Sequence, residues 1–308
     1  MKIKKVIIKF INITRDYNLL ITLKLFLNKL INEDNYNNLV KKILINENEI
    51  VLKNYSTLTY KNDTTNEHSP IWVCWWQGYD NMPQLVSQCY ESIIDNCNNH
   101  EVKLITKDNY ADYVDIPDYI VEKLNNGYIT ITHFSDILRV ALLYKYGGCW
   151  IDATIYISSK IPEEVFTYPV YSRKISESTI YEGKNVSQGR WSAYLLAGQK
   201  ECALFKFLEE LFFNYWKKHN ALIDYFLIDY AIAIGVEKVP HIKNLILDIP
   251  VNNSQIHELQ KKLNNEFAED DYMQICSNTV FHKLNWRLNY LTYKANKKTY
   301  FGKIFSEM

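Results

Sequence analysis

The chain has 308 residues, of which 47% are hydrophobic, so it is long and apolar enough to bury a large core in one or two domains. Lysine plus arginine equals aspartate plus glutamate at 35 each, which excludes an overall basic field and, with it, nucleic acid as the expected partner. The six cysteines form neither a C-x-x-C pair nor a zinc-type spacing with histidine, a pattern that favours buried thiols in a reducing compartment.

Residues 1–67 are predicted to form a basic helical segment that ends in a polar linker at 61–67. Residues 1–30 contain seven lysines and arginines against Asp16 alone, a net charge of +6, so the remainder of the chain carries −6. Charged residues interrupt the apolar ones too often for a membrane-spanning helix or a signal peptide. Two alternatives are open: an interfacial helix that makes peripheral contact with an anionic membrane, or an ordinary helix that packs on the rest of the chain.

Strand and helix patterns alternate after the linker. Strands are predicted at 71–76 and 102–106, and helices at 85–97 and 120–125. This alternation predicts a single α/β domain over 68–308, with a mixed, largely parallel sheet that is flanked by helices. In such sheets ligands bind beyond the carboxyl ends of the strands.

The first of these strands ends in Trp75-Trp76-Gln77-Gly78. Trp76 could stack on a nucleobase at this position, and Gly78 would let the backbone approach a ligand closely. The alternative for the tryptophans is ordinary core packing, because aromatic side chains bury large areas.

Residues 135–146 have apolar side chains at helical spacing, with Ser135 as the predicted N-cap. Gly147-Gly148 then ends the helix, and a strand is predicted over 149–157. Asp136 and Arg139 share one face of the helix, and Asp152 interrupts the strand. Taken separately, these residues could be a surface ion pair worth less than about 1 kcal/mol and a turn cap.

Together, the segments resemble the core of the glycosyltransferase family that includes capsular polysaccharide synthesis proteins, and more distantly glycosyltransferase family 32 and the large clostridial glucosylating toxins. The shared pattern is S-D-x-x-R, an apolar helix, G-G, an aromatic residue and D-x-D, preceded by a strand that ends in W-x-G. The chain matches it at Ser135-Asp136, Arg139, Gly147-Gly148, Trp150, Asp152 and Trp76-Gln77-Gly78.

This resemblance implies a GT-A-like, Rossmann-type fold and an enzyme that transfers a sugar from a nucleotide-sugar donor. The implied donor is a UDP-sugar, and the implied reaction retains the anomeric configuration. The implied acceptor is a saccharide of a capsular or other surface polysaccharide, for which a lipid-linked form is one option. The enzyme would work in the cytoplasm, where contact with the inner face of the cell membrane is the second option.

The chain departs from the family pattern at the second acidic position, where it reads Asp152-Ala153-Thr154. The resemblance implies Mn²⁺ or Mg²⁺ as a cofactor, with Asp152 and His282 as its ligands. A hydroxyl in place of a carboxylate weakens a site for a hard divalent ion, so metal dependence is open.

The resemblance also implies roles for individual residues. Asp136, Arg139, Asp152 and Asp229 are the expected catalytic residues, because glycosyl transfer needs fixed charges for the departing diphosphate and hydrogen bonds to the sugar hydroxyls. Asp229 could contact the acceptor or act as a base, or be a plain surface aspartate. Trp191 and Tyr194 are the expected acceptor contacts. The expected donor-binding residues are Trp75, Trp76, Gln77, Gly78, Ser135, Asp136, Arg139, Gly148, Thr154 and Lys283.

Two other classes of function stay open at the level of the sequence. A glycoside hydrolase could use Asp136 with another carboxylate, since two flanking carboxylates are the minimum for that chemistry, and it would need no nucleotide. A catalytically silent binding or scaffold protein would explain the missing second acidic residue of the motif.

Overall fold

The structure is a computed structural model that describes residues 2–57, 69–176, 178–179 and 185–306, with side chains from residue 6 onward. The predicted linker at 61–67 and the predicted boundary between residues 67 and 68 lie outside the described residues. None of the helices in these ranges is both long enough and apolar enough to span a membrane.

Helices dominate the first fifty-seven residues, and strands and helices alternate from residue 71 onward, as predicted. The helices are α1 (Lys2–Tyr17), α2 (Leu19–Ile31), α3 (Glu33–Glu47), α4 (Glu49–Ser56), α5 (Gln84–Asp95), α6 (Tyr110–Tyr113), α7 (Asp118–Asn125), α8 (Ile131–Tyr146), α9 (Glu164–Thr167), α10 (Ala203–Lys218), α11 (Leu227–Lys238), α12 (Pro240–Leu247), α13 (Glu258–Lys262), α14 (Glu269–Cys276) and α15 (Tyr300–Ile304). The strands are β1 (Ile71–Cys74), β2 (Val102–Ile105), β3 (Gly148–Ile151), β4 (Ile155–Ile157), β5 (Val170–Ser172), β6 (Leu195–Gly198), β7 (Phe281–Lys283), β8 (Tyr293–Lys294) and β9 (Lys297–Lys298).

The central sheet has five strands in the order β2-β1-β3-β6-β5. Strand β1 pairs in parallel with β2 and β3, whereas β6 pairs antiparallel with β3 and β5, so four of the five strands share one direction. Alternate residues bury on opposite faces of the sheet, Trp72 and Trp150 on one and Val73 and Ile151 on the other. The predicted mixed, largely parallel α/β sheet is confirmed.

Helix α8 begins one turn earlier than the sequence pattern predicts. The Thr130 side chain accepts a hydrogen bond from the His133 backbone N–H and is the N-cap, while the Ser135 hydroxyl donates to the Thr132 carbonyl inside the helix. The predicted N-cap at Ser135 is therefore wrong. The helix begins at Ile131, so the free N–H groups of its first turn lie next to Thr130, and Ser135 is inside the helix.

The diglycine after α8 has a structural function. Gly147 and Gly148 have φ angles of 69° and 94°, and a Cβ on Gly148 would lie 2.1 Å from the Pro70 carbonyl oxygen. Gly148 thus allows β3 to pass close to the chain that enters β1. The structure places it in this backbone contact, away from the cleft described below, and so corrects its expected role in donor binding.

The strand predicted over 149–157 is in fact two strands in two different sheets. Strand β3 ends at Ile151, a turn closed by the Ile155 N–H bonding the Asp152 carbonyl at 2.9 Å follows, and β4 pairs antiparallel with β7. The register of that pair sets Ile155 opposite Lys283. The turn therefore places Asp152 and Thr154 at the end of the central sheet, beside Lys283.

Helices α1 to α4 pack on the α/β part of the chain. Ile13, Tyr17, Leu25, Val40 and Leu44 belong to the same buried cluster as the apolar side chains of α10 and α11. One face of these N-terminal helices is therefore ordinary core, as the second alternative from the sequence predicts. The opposite face of α1 and α2 is exposed.

Candidate active site

A cleft opens beyond the carboxyl ends of β1 and β3, where the fold class predicts ligand binding. It consists of a polar cavity of about 490 Å³ and an aromatic cavity of about 680 Å³. The two cavities meet at a shared set of side chains: Thr132, Ser135, Asp152, Tyr225, His257 and Lys283. Three of these were predicted from the sequence as site residues, namely Ser135, Asp152 and Lys283.

Asp152 and Lys283 form the centre of the cleft. The Lys283 ammonium donates to Asp152 Oδ2 at 2.7 Å and to the Thr154 hydroxyl at 2.8 Å. The same ammonium lies 5.0 Å from the centre of the Tyr194 ring. The Thr154 hydroxyl, which replaces the second carboxylate of the family motif, therefore accepts a hydrogen bond from Lys283.

Arg139 links this pair to Asp136. Its guanidinium donates to Asp136 Oδ1 at 2.5 Å and to Asp152 Oδ1 at 3.1 Å, and it lies 4.7 Å from the centre of the Trp150 ring. The Trp150 indole N–H also donates to Asp152 Oδ1, at 3.0 Å. Two carboxylates and two cations thus alternate along one hydrogen-bonded chain from α8 to β7.

At this cluster, burial and the neighbouring charges shift the pKa values of Asp152 and Arg139 in opposite directions. Burial alone would raise the pKa of Asp152, but Lys283 and Arg139 outweigh it and hold that pKa below its usual value. Burial would lower the pKa of Arg139, and the carboxylates of Asp136 and Asp152 raise it instead. The paired charges therefore stabilise an ionised Asp152 and a charged Arg139 in a largely buried position.

Asp229 lies in the polar cavity, on the first turn of α11. Its Oδ1 accepts from the Trp191 indole N–H at 2.9 Å, and its Oδ2 accepts from the Asn185 amide at 3.0 Å. Burial raises the pKa of Asp229 to about 6, and the nearby charge of Asp136 adds to that effect. The structure thus makes Asp229 a buried cleft residue and excludes the plain surface aspartate that the sequence left open.

The two expected acceptor contacts differ in their exposure. Trp191 is 1% exposed and lines the polar cavity while its indole holds Asp229. Tyr194 is half-buried in the same cavity, where its backbone carbonyl accepts from the Asp152 N–H at 3.0 Å.

The aromatic cavity contains most of the residues predicted at the end of β1. Trp75, Trp76 and Gln77 line it together with Trp286 and Arg287. The Trp75 and Trp286 rings are 5.7 Å apart in an edge-to-face arrangement, and the Arg287 guanidinium lies 4.9 Å from the centre of the Trp286 ring. This cavity offers flat apolar faces beside a cation.

Gly78 does not line either cavity. Its N–H bonds the Trp75 carbonyl at 3.0 Å and its φ of 83° leads the chain into a short 3-10 helix at Tyr79–Asn81. The position needs a glycine for the turn. The structure places Gly78 in this turn rather than in contact with the cleft.

His282 and Lys283 are neighbours on β7 and therefore point to opposite faces. Lys283 enters the cleft, whereas the His282 imidazole lies 3.0 Å from the Ser158 hydroxyl and is fully buried. Burial lowers the pKa of His282 to about 4. The structure does not bring His282 to Asp152, and this corrects the expectation that both bind one metal ion.

The remaining donor set does not fit the divalent ion implied by the family resemblance. Hard cations need several oxygen ligands, and Asp152 is the one carboxylate at this position, with both of its oxygens hydrogen-bonded to Arg139, Trp150 or Lys283. An ion beside Asp152 would have to displace the Lys283 ammonium. Across the described ranges, no group of three or more His, Cys, Asp or Glu side chains could hold a metal ion.

Several cleft residues were missed by the sequence analysis. His257, Arg173, Tyr225, Trp286 and Arg287 all line one or both cavities. They come from segments outside the motifs, and for Trp286 and Arg287 a signal is the W-R pair itself, which begins three positions after Lys283. Burial lowers the pKa of His257, and the charges of Arg173 and Lys283 lower it further.

Residues 22–304 match the model of the family described as capsular polysaccharide synthesis protein, which agrees with the motif resemblance. Among solved structures, the chain is similar to the WbbM bifunctional glycosyltransferase in its apo form, with 10% identity and a TM-score of 0.41 over 80% of this chain and 50% of that one. It is also similar to the PaToxG glycosyltransferase, with 11% identity and a TM-score of 0.35 over 78% of this chain and 94% of that one. The chain spans half the length of the WbbM chain. A search of curated protein sequences found no match.

Proposed function

Because the chain belongs to the capsular polysaccharide synthesis protein family, we propose that it is a GT-A-like glycosyltransferase. It moves a sugar from a nucleotide-sugar donor to a saccharide acceptor of a capsular or other surface polysaccharide. The donor is expected to be a UDP-sugar, and the anomeric configuration is expected to be retained.

One observation carries this proposal. The chain of charges formed by Asp136, Arg139, Asp152 and Lys283 lies where an aromatic cavity meets a polar one. A glycosyl transfer needs this combination: a flat apolar site for a base, fixed cations at the bond that breaks, and polar groups for two sugars.

The aromatic cavity suits the nucleotide part of the donor. Trp76 and Trp286 offer ring faces for the base, and Arg287 lies beside Trp286 at the same wall. A diphosphate that extends from this cavity toward the polar one would pass Lys283, which lines both.

Lys283 is proposed to bind the departing diphosphate in place of a divalent ion. A lysine ammonium has three donors, of which two reach Asp152 and Thr154, and the third can serve a phosphate oxygen. Asp152 then holds Lys283 in position, so the cation needs no reorganisation when negative charge develops on the leaving group.

Asp136 and Arg139 are proposed to orient the transferred sugar. Both are at most 9% exposed, and their side chains are held by each other on one face of α8. A carboxylate and a guanidinium fixed in this way can accept from and donate to sugar hydroxyls. Ser135 lies on the same helix and lines both cavities, so its hydroxyl can also form a hydrogen bond with the sugar.

The polar cavity is proposed to hold the acceptor. Tyr194 offers an aromatic face there, and Asp229 offers a carboxylate that Trp191 holds in place. With a pKa of about 6, Asp229 is mostly ionised at neutral pH and can accept a proton from an acceptor hydroxyl.

The experiment that tests this function measures nucleotide release from UDP-, GDP-, CMP- and dTDP-sugars, each with manganese, with magnesium and with chelator. Release from one donor, lost in Asp152→Asn, is the expected result. Activity on a glycan without any nucleotide would instead establish the hydrolase alternative. Donor binding in a thermal-shift assay with no release, even with a panel of saccharide acceptors, would establish the silent binding protein.

A further inference from the structure

We propose that the outer face of α1 and α2 is a docking surface for an anionic phospholipid membrane. This α1–α2 face consists of Ile7, Ile8, Ile11, Leu19, Leu20, Leu23, Leu27, Leu30 and Ile31. These are nine of the twenty-three large hydrophobic side chains that are exposed among the described residues. Single exposed apolar residues are normal on a protein surface, but a concentration of nine within 25 positions marks an interaction site.

Among the described residues, this face is exposed to solvent and contributes nothing to the buried core. The inner side of the two helices supplies Ile13, Tyr17 and Leu25 to the core, each at most 5% exposed. Phe10 and Phe26 join the helices to each other, with their ring centres 5.0 Å apart. Packing within the described part of the chain therefore does not explain why the outer face is apolar.

On α2 the exposed residues form one continuous stripe. Leu20, Leu23, Leu27 and Leu30 follow each other at spacings of three and four, so they lie on one side of the helix. They are 63%, 41%, 54% and 83% exposed. A helix that is apolar on both its inner and its outer side fits a position between a protein core and a lipid phase.

The charges around the face favour anionic lipid. Arg15 and Lys24 are exposed on α1 and α2, whereas the ammonium of Lys29 is paired with Asp224 and does not count toward this charge. The one acidic residue within α1 and α2 is Asp16, whose side chain is 8% exposed and accepts from the backbone N–H groups of Asn220 and Ala221. The charges that reach solvent from the described side chains of these two helices are thus all positive, as anionic headgroups require.

The same charges argue against a second copy of the chain as the occupant. A symmetric dimer through this face would bring two copies of the same positively charged surface, with Arg15 and Lys24, against each other. Like charges across an interface are repulsive, and no exposed carboxylate within α1 and α2 compensates them. The rest of the sequence carries −6, so an anionic membrane would also repel the other sides of the protein.

The face is joined to the rim of the cleft. The Lys29 ammonium and the Tyr36 hydroxyl both donate to Asp224 Oδ2 at 2.7 Å, and the next residue, Tyr225, lines both cavities. A groove of about 350 Å³ runs between Ile8 and Tyr225. If the proposed function holds, docking through α1 and α2 would set the acceptor side of the cleft beside the lipid, which suits a lipid-linked saccharide; the docking surface itself does not rest on that function.

The test is co-sedimentation of the full chain with vesicles, which needs neither donor nor acceptor. We compare phosphatidylcholine vesicles with vesicles that contain about 30 mol% phosphatidylglycerol, a composition that gives an anionic surface. The expected result is a partition coefficient roughly tenfold higher on the anionic vesicles, which falls when salt is raised from about 0.1 M to about 0.5 M. A triple variant, Leu20→Ser, Leu23→Ser and Leu27→Ser, is expected to lose about tenfold or more of the binding, because its apolar stripe is gone.

A matched control carries Leu247→Ser and Val251→Ser, which are 53% and 56% exposed elsewhere on the chain. It is expected to bind vesicles as the wild type does, and unchanged circular dichroism of all variants shows that they fold. Absence of wild-type binding to either vesicle, or equal loss in the triple variant and the control, would overturn the proposal. So would a dimer in light scattering that disappears in the triple variant, since the face would then be occupied by a second copy. Nucleotide release is measured on the same variants with a water-soluble acceptor, so a failure of the proposed chemistry is seen separately.

Discussion

Lys283 and Asp152 are 131 positions apart in the sequence, yet the Lys283 ammonium lies 2.7 Å from Asp152 Oδ2. The contact depends on the turn after β3, which sends the chain into β4, and on the pairing of β4 with β7, which sets Ile155 opposite Lys283. The single carboxylate of the family motif, Asp152, is thereby paired with a cation from a distant strand, Lys283.

Asp152→Asn is expected to lower nucleotide release about 100-fold or more, because a neutral amide no longer holds the Lys283 and Arg139 cations in position for the departing diphosphate. The fold should persist, since Arg139 keeps Asp136 as a partner. Release kinetics and a melting curve on the same preparation measure the two effects. Asp271→Asn removes a lysine–aspartate pair that lines neither cavity, with Lys262 at 2.9 Å, and should leave release unchanged.

Turnover by the wild type is expected to be the same with chelator as with manganese, because Lys283 occupies the position beside Asp152. Lys283→Ala should lose about 100-fold in kcat/KM, while Lys283→Arg retains part of the rate because the charge remains. The control is Lys238→Ala, which removes a surface lysine paired with Glu237. Loss of wild-type turnover in chelator, restored by adding the metal back, would contradict the proposed role of Lys283.

Asp229 is expected to give the folding stability a distinct pH dependence. Its pKa is raised from 3.8 to about 6 in the folded chain, with burial as the first cause. Between these values the folded chain holds a proton that the unfolded chain has released, so stability falls as pH rises through the window and levels off above about pH 6. Asp229→Asn cannot titrate and should lack this component.

Urea unfolding of the wild type and Asp229→Asn at a series of pH values measures the effect. The difference in unfolding free energy between the two proteins should change by about 2 kcal/mol between about pH 4 and about pH 8, in favour of the variant at the higher pH. A pH-independent effect of the amide introduced by Asp229→Asn on the unfolding free energy does not alter this pH-dependent change, because it is the same at every pH. Parallel curves for the two proteins would show that Asp229 titrates normally.

Trp286→Ala is expected to weaken donor binding by roughly 5-fold to 150-fold, because stacking of a base on an aromatic ring contributes about 1–3 kcal/mol. The kcat at saturating donor should change little, since the ring lies in the aromatic cavity away from Asp136 and Arg139. Isothermal titration with the nucleoside diphosphate gives the affinity. Leu288→Ala, at a residue 52% exposed two positions later, is the control, and equal affinities for both variants would mean that the base binds elsewhere.

Features that depend on nearby residues were predictable from the sequence. The spacing of Asp136 and Arg139 places them on one helix face, and in the structure they are hydrogen-bonded there. The alternation of strand and helix patterns after residue 70 predicted the largely parallel sheet. Each of these follows from helix or strand periodicity, which acts over a few residues.

Two errors were local and could have been avoided. Thr130, five positions before Ser135, is also a favoured N-cap residue and lies at the true start of α8. His282 and Lys283 are adjacent on a strand, so only one of them can enter the cleft. A strict two-residue alternation would have separated them without a structure.

The sequence by itself determined the α/β class, the family resemblance and the composition of the α8 motif, because these are written in short-range patterns. Only the tertiary structure decided which cation meets Asp152, that Asp229 is buried against Trp191, and that the apolar residues of α1 and α2 divide into a core face and an exposed face. The physical reason is that these contacts join elements far apart in the chain. They depend on strand register, on the path of turns and on which surfaces other helices cover, and no local period encodes them.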